Sequence, residues 1–90
     1  MVVTHLTEDG SNIIGSTYIG GSNNDGYNSI STNYGDTYRG EIIIDNAGNA
    51  YIASFSSSLD FPATAGSYQP NHAGLQDGVV CKLDATLSTL

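Results

Sequence analysis

The apolar residues of this chain come in short bursts rather than in a helical stripe. Val2, Val3 and Leu6 form one burst, Ile13, Ile14, Tyr18 and Ile19 a second, and Ile42-Ile43-Ile44 a third. Tyr51, Ile52 and Phe55 follow, then Val79-Val80-Cys81 and Leu83. Gly, Asn, Ser and Asp separate them, and bursts bounded by such residues read as strands. Strands are predicted at residues 2–6, 12–19, 41–45, 49–55 and 78–83, with a further one starting at 86–90. Asp45-Asn46-Ala47-Gly48 joins the third and fourth. Asp opens that turn and Gly stands where a positive φ is needed, as in a type I turn with a G1 bulge.

Strict alternation marks a sheet with one wet face, whereas unbroken apolar runs suggest burial on both. Ile42-Ile43-Ile44 and Val79-Val80-Cys81 are unbroken. A single small sheet cannot bury two faces unaided, so the pattern calls for a neighbouring sheet on each side, as in a propeller or another stacked array. Two stretches, 22–40 and 56–77, are long for loops of a compact domain.

Composition supports this all-β reading. Gly, Ser, Asn and Thr make up 38 of the 90 residues, and the long helix formers are nearly absent, with one Lys, one Arg, one Met and two Glu. Six Tyr, two Phe and the clustered β-branched residues oppose disorder. Nine acids against two bases give a formal charge of -7. That argues against the counterion-replacing surface of a nucleic-acid binder and equally against docking on an anionic membrane. No apolar run is long enough to span a bilayer as a helix, and no basic-then-apolar leader opens the chain. With one cysteine, Cys81, neither an internal disulfide nor a multi-cysteine metal site is available.

An internal repeat joins the two ends. Val2-Val3-Thr4-His5-Leu6 and Val79-Val80-Cys81-Lys82-Leu83 share three of five residues at an offset of 77, which also sets Ser11 on Ser88 and Ile13 on Leu90. The chain is expected to be one repeat of a tandem array, with its opening segment recurring at its close.

Five segments, in order, resemble the bacterial β-propeller repeats often called SBBP repeats. Ser16 to Gly21, S-T-Y-I-G-G, resembles their S-T-Y-L-G-G segment. Glu41 to Tyr51 resembles their I-x-V-D-x-x-G-N-x-Y hairpin, and Ser58 to Pro62 their S-x-D-F-P loop. Gly66 to Gln69 resembles G-A-Y-Q, and Asp77 to Leu83 resembles D-x-F-V-x-K-L. The chain departs from the pattern in the longer 22–40 stretch and in Ser54, where the family usually has Gly. The resemblance implies a propeller blade counted A to D from the channel outward, with 41–45 as A, 49–55 as B and 78–83 as C. Residues 2–6 and 13–19 would be strands C and D of the preceding blade. Three parts follow: 1–21 closing one blade, 22–40 an inserted loop, and 41–90 opening the next. The resemblance also implies a large extracellular or cell-surface bacterial protein, and it carries over no catalytic residue.

Candidate chemistry is sparse. Asn23, Asp25 and Asp36 supply oxygens in one loop, as calcium favours, but the EF-hand pattern is not met, and Asn, Asp and Gly equally build ordinary turns. Tyr27, Tyr34 and Tyr38 lie in the same loop among Ser, Gly and Asn, a mix found in recognition loops, so glycan contact stands beside the reading that the rings cover sheet edges. Asp60-Phe61-Pro62 reads as Asp60 capping backbone N–H groups and Phe61 filling a gap. Cys81 reads as a small hydrophobe, with Lys82 on the other face. His5 and His72 read as surface residues, and no nucleophile-elbow motif accompanies the many serines.

The expectation is therefore a non-catalytic structural module, without a cofactor, that forms a homo-oligomer. Strand 13–19 of one copy would complete the sheet of 41–55 and 78–83 of another. The residues expected to carry assembly are Val2, Ile14, Tyr18, Ile42, Ile44, Val79 and Leu83. The alternative is a glycan- or calcium-binding module using the 22–40 loop.

Overall fold

The structure is a computed structural model, and it describes residues 1–28 and 37–90. The described residues form five strands and no helix: β1 (Val2–Leu6), β2 (Ile13–Tyr18), β3 (Glu41–Ile44), β4 (Ala50–Ser56) and β5 (Asp77–Leu83). All pairings are antiparallel. β1 and β2 make a two-stranded sheet, and β3-β4-β5 a three-stranded one with β4 in the centre.

The β3–β4 hairpin follows from its turn. Asp45 N–H donates to Asn49 O at 3.1 Å and Gly48 N–H to Asp45 O at 2.9 Å. Gly48 has φ 84°, a conformation that costs a side-chain-bearing residue and costs Gly nothing. The Asp45 carboxylate accepts from the Ala47 and Asn49 backbones, which locks the loop.

The pleat sorts the larger sheet into two faces. Ala50 pairs with Ile44 and Leu83, and Ile52 with Ile42 and Cys81, so these residues share the inner face. Ile43, Tyr51, Ala53, Val80 and Lys82 share the outer one. The two-stranded sheet lies on the inner face. Val3 and Ile19 meet Ala50, Ile52, Leu83 and Leu87 in one buried cluster, with Met1, Phe61 and Cys81 packed against it.

Gly15 shows how close the layers come. A Cβ there would overlap the carbonyl oxygen of Thr86, so only Gly lets β2 approach that turn. Beside it, His5 Nδ1 donates to Ala85 O at 2.7 Å.

The expected strand at 86–90 does not form. Asp84 holds this segment as a turn: its Oδ1 accepts from Ser88 N at 2.7 Å and Thr89 N at 2.8 Å, while Leu87 takes φ 59°. A carboxylate that gathers successive N–H groups offers the backbone an alternative to a ladder.

This turn repeats the one that joins β1 to β2. Thr7 N–H donates to Asn12 O and Gly10 N–H to Thr7 O; at an offset of 77, Asp84 N–H donates to Thr89 O and Leu87 N–H to Asp84 O. Gly10 has φ 72° where Leu87 has 59°. The Thr7 hydroxyl accepts from Asn12 N as the Asp84 carboxylate accepts from Thr89 N. The repeat thus extends from the matched sequence of β1 and β5 into the backbone of the turns that follow them.

Candidate functional site

The molecule's most unusual surface is apolar. Ile42 is 55 %, Ile43 70 % and Ile44 65 % exposed, and Val80 on the outer face is 80 % exposed. The two-stranded sheet covers the β4–β5 side of the inner face and, among the described residues, leaves β3 bare. β3 and β5 are both edge strands among those described, and each offers unpaired backbone groups to an incoming strand. A groove of about 820 Å³ flanks β5, lined by Val79, Val80 and Cys81 together with Phe61, Tyr68 and Pro70. Consecutive β5 residues line it, which places it along the strand's edge.

The residues expected to carry assembly divide. Val2, Ile14, Tyr18, Ile42 and Ile44 are exposed, Tyr18 at 86 %, and Val79 is half-buried at the groove. Leu83, by contrast, is buried in the core. It pairs with Ala50 on the inner face, under the two-stranded sheet, and is already covered.

The start of the 22–40 loop is tied down by an internal polar network. Ser56 and Ser58 are fully buried. The Ser56 hydroxyl donates to Asp25 Oδ1 at 2.5 Å and the Ser58 hydroxyl to Asp25 Oδ2 at 3.2 Å. Asp25 Oδ2 also accepts from Gly21 N, and Asn23 N–H donates to Ser58 Oγ. Asp60 Oδ1 accepts from both the backbone and the hydroxyl of Ser22, and these bonds hold its carboxyl below the usual carboxylate range. Of the three candidate calcium ligands, Asp25 therefore spends both carboxylate oxygens anchoring the loop, and Asn23 anchors it through its backbone N–H and its side-chain N–H, 3.4 Å from Ser57 O. The third, Asp36, lies outside the described residues, as does Tyr34. Among the described residues no group of three or more His, Cys, Asp and Glu is placed to hold a metal ion.

Tyr27 and Tyr38 do meet, with ring centroids 5.4 Å apart at 56°. Tyr38 is 81 % exposed. Lys82 faces away from Cys81 and sits over the Tyr51 ring at 5.2 Å, and burial pushes the Cys81 thiol up. His72 differs from its expected surface setting. Its side chain is only 6 % exposed, wedged between the Ser56 carbonyl, 3.3 Å from Nε2, and Asp77, 3.8 Å from Nδ1.

Two features escape a reading of the residues alone. One is the Asp25 network, whose trace is the spacing of Ser54, Ser56 and Ser58, every second residue on the buried side. The other is Val80, which periodicity alone does not distinguish from Val79. No family model, curated protein or solved structure matches the chain.

Proposed function

We propose that this chain is a non-catalytic structural module that self-associates, each copy completing the sheet of another. The supporting observation is the three-stranded sheet whose β3 is bare on both faces among the described residues. Burying Ile42, Ile43, Ile44 and Val80 would contribute about 1.5–3 kcal/mol for each side chain. Association costs about 4–15 kcal/mol in lost freedom. The apolar faces alone thus roughly balance that cost, and backbone pairing along a free edge tips the balance.

On this reading the larger sheet is a propeller blade short of its outer strand, and the parent protein works as a scaffold outside the cell, as the resemblance to SBBP repeats implies. Light scattering behind size exclusion tests the core of the proposal. The expected result is a multimer whose mass rises with protein concentration, and with salt, which screens the charge of -7 on each copy. A folded monomer throughout overturns it.

A second reading is glycan contact, which rests on the exposed Tyr38 ring tilted against Tyr27. A glycan-array signal lost in Tyr38→Ala would support it; no signal from the unmodified chain would sink it.

A further inference from the structure

We infer that β5 of one copy takes the place of β1 in another, pairing with its β2 and laying Val80 where Val3 now lies. The inference rests on the self-association proposed above and specifies its contacts. Its ground is the repeat: β1 and β5 share sequence, the turn that follows each shares hydrogen bonds, and each turn carries a positive φ at the same position.

The two strands differ in what covers them. β1 has β2 on one edge and lays Val3, 8 % exposed, on the inner face of the larger sheet. β5 has β4 on one edge and a groove along the other, and its Val80 is 80 % exposed. The surroundings of β1 therefore show what β5 is shaped to receive. The occupant is the β2 strand and inner face of a second copy.

The register follows by transposing that of β1 on β2 by 77. Val79 would pair with Tyr18, Val80 with Thr17, Cys81 with Ser16, Lys82 with Gly15 and Leu83 with Ile13. Ile14 keeps its bulge. Lys82 takes the place of His5 and brings an N–H donor to the Ala85 carbonyl that His5 now meets. Val80 replaces an identical residue against Ile19, Leu83 and Leu87. The sheet becomes β3-β4-β5-β2, with the last strand from the second copy. Outer face lies on inner face, a head-to-tail contact that closes a ring or extends as a filament.

A native probe already stands in place. Thr4, the counterpart of Cys81, has its Oγ1 2.9 Å from Ser16 Oγ across the β1–β2 pair. In the Ser16→Cys variant, mild oxidation should therefore link the introduced thiol of one chain to Cys81 of another. Thr17→Cys places its thiol on the other face, away from Cys81. Non-reducing electrophoresis with peptide mapping should show at least about tenfold more interchain bond for Ser16→Cys than for Thr17→Cys, since disulfides demand close, facing Cβ atoms. Val80→Asp, at an exposed position, should keep the circular dichroism of the chain and lose the multimer.

A Ser16→Cys multimer with no bond from the introduced thiol to Cys81, with an intrachain bond, or with equal linking by Thr17→Cys overturns the exchange and leaves self-association standing. So does a multimer that survives Val80→Asp. An unmodified chain that stays monomeric overturns both.

Discussion

Among the side chains, the strongest single commitment is Asp25. It is the acceptor for two hydroxyls that water does not reach, those of Ser56 and Ser58. Removing it leaves both donors buried and unpaired, and each such group costs about 1–3 kcal/mol. Asp25→Ala should lower unfolding stability by about 2–4 kcal/mol in a urea titration, a large share of a small domain's total. A change below about 0.5 kcal/mol, what a surface substitution gives, would mean the loop is held by something else. Leu87 poses the opposite case. Its backbone stands at φ 59°, which costs a non-glycine residue about 1–2 kcal/mol. Its side chain is 6 % exposed within the core, and truncating a buried Leu costs about 2–5 kcal/mol. Burial outweighs strain, so Leu87→Gly should destabilise despite relieving the backbone. Its repeat counterpart Gly10 meets nothing within reach of a Cβ and has no such side chain to lose.

At the level of elements, the two carboxylate-centred turns set the acid response. Asp9 is held down to about 2, chiefly by the Thr7 hydroxyl and then by Ser11. Asp84 is held well below the usual carboxylate range by the Thr86 hydroxyl and by the Thr89 and Ser88 backbones. A depressed folded-state pKa contributes stability that is complete above the unfolded value, near about 3.9, and is lost as pH falls toward the folded value. The turns should therefore hold at about pH 5 and loosen between about pH 4 and 2. Carboxyl shifts of Asp9 and Asp84 followed by NMR check this; midpoints at about 3.9 would show that the hydrogen bonds do not persist in solution. These turns also mark how far the sequence speaks for the fold. Five strands, the Asp45 to Gly48 hairpin and the 77-residue repeat are legible, because apolar bursts and Gly-marked turns are local signals. The turn at 84–89 is not, because Leu87 gives no hint of a positive φ until the core that buries it is in place. The role of Asp25 is equally hidden: it depends on Ser56 and Ser58, 31 and 33 positions away, turning inward on the same side of the chain.

For the whole molecule, the decisive question is whether the apolar faces meet unlike or like. The two-stranded sheet already answers it within one chain. Val3, the counterpart of Val80 on the outer face, rests on the inner face, and His5, the counterpart of Lys82, rests on the turn that follows β5. Repetition of that contact between chains is heterologous, so each copy carries two different halves of one interface. The halves can be disabled separately. Val80→Asp removes the outer half, and Ile42→Asp, at a residue 55 % exposed on the inner face, removes the other. Neither variant alone can form the contact. Mixed, they have one intact outer face and one intact inner face between them, enough for a single junction and no more. Native mass spectrometry should then report monomers of each variant separately and a one-to-one dimer in the mixture, with nothing larger. If the faces instead met like to like, Ile42→Asp would dimerise by itself through its intact outer face and mixing would add nothing. The mixture thus distinguishes an extendable array from a closed pair without needing a structure of the assembly.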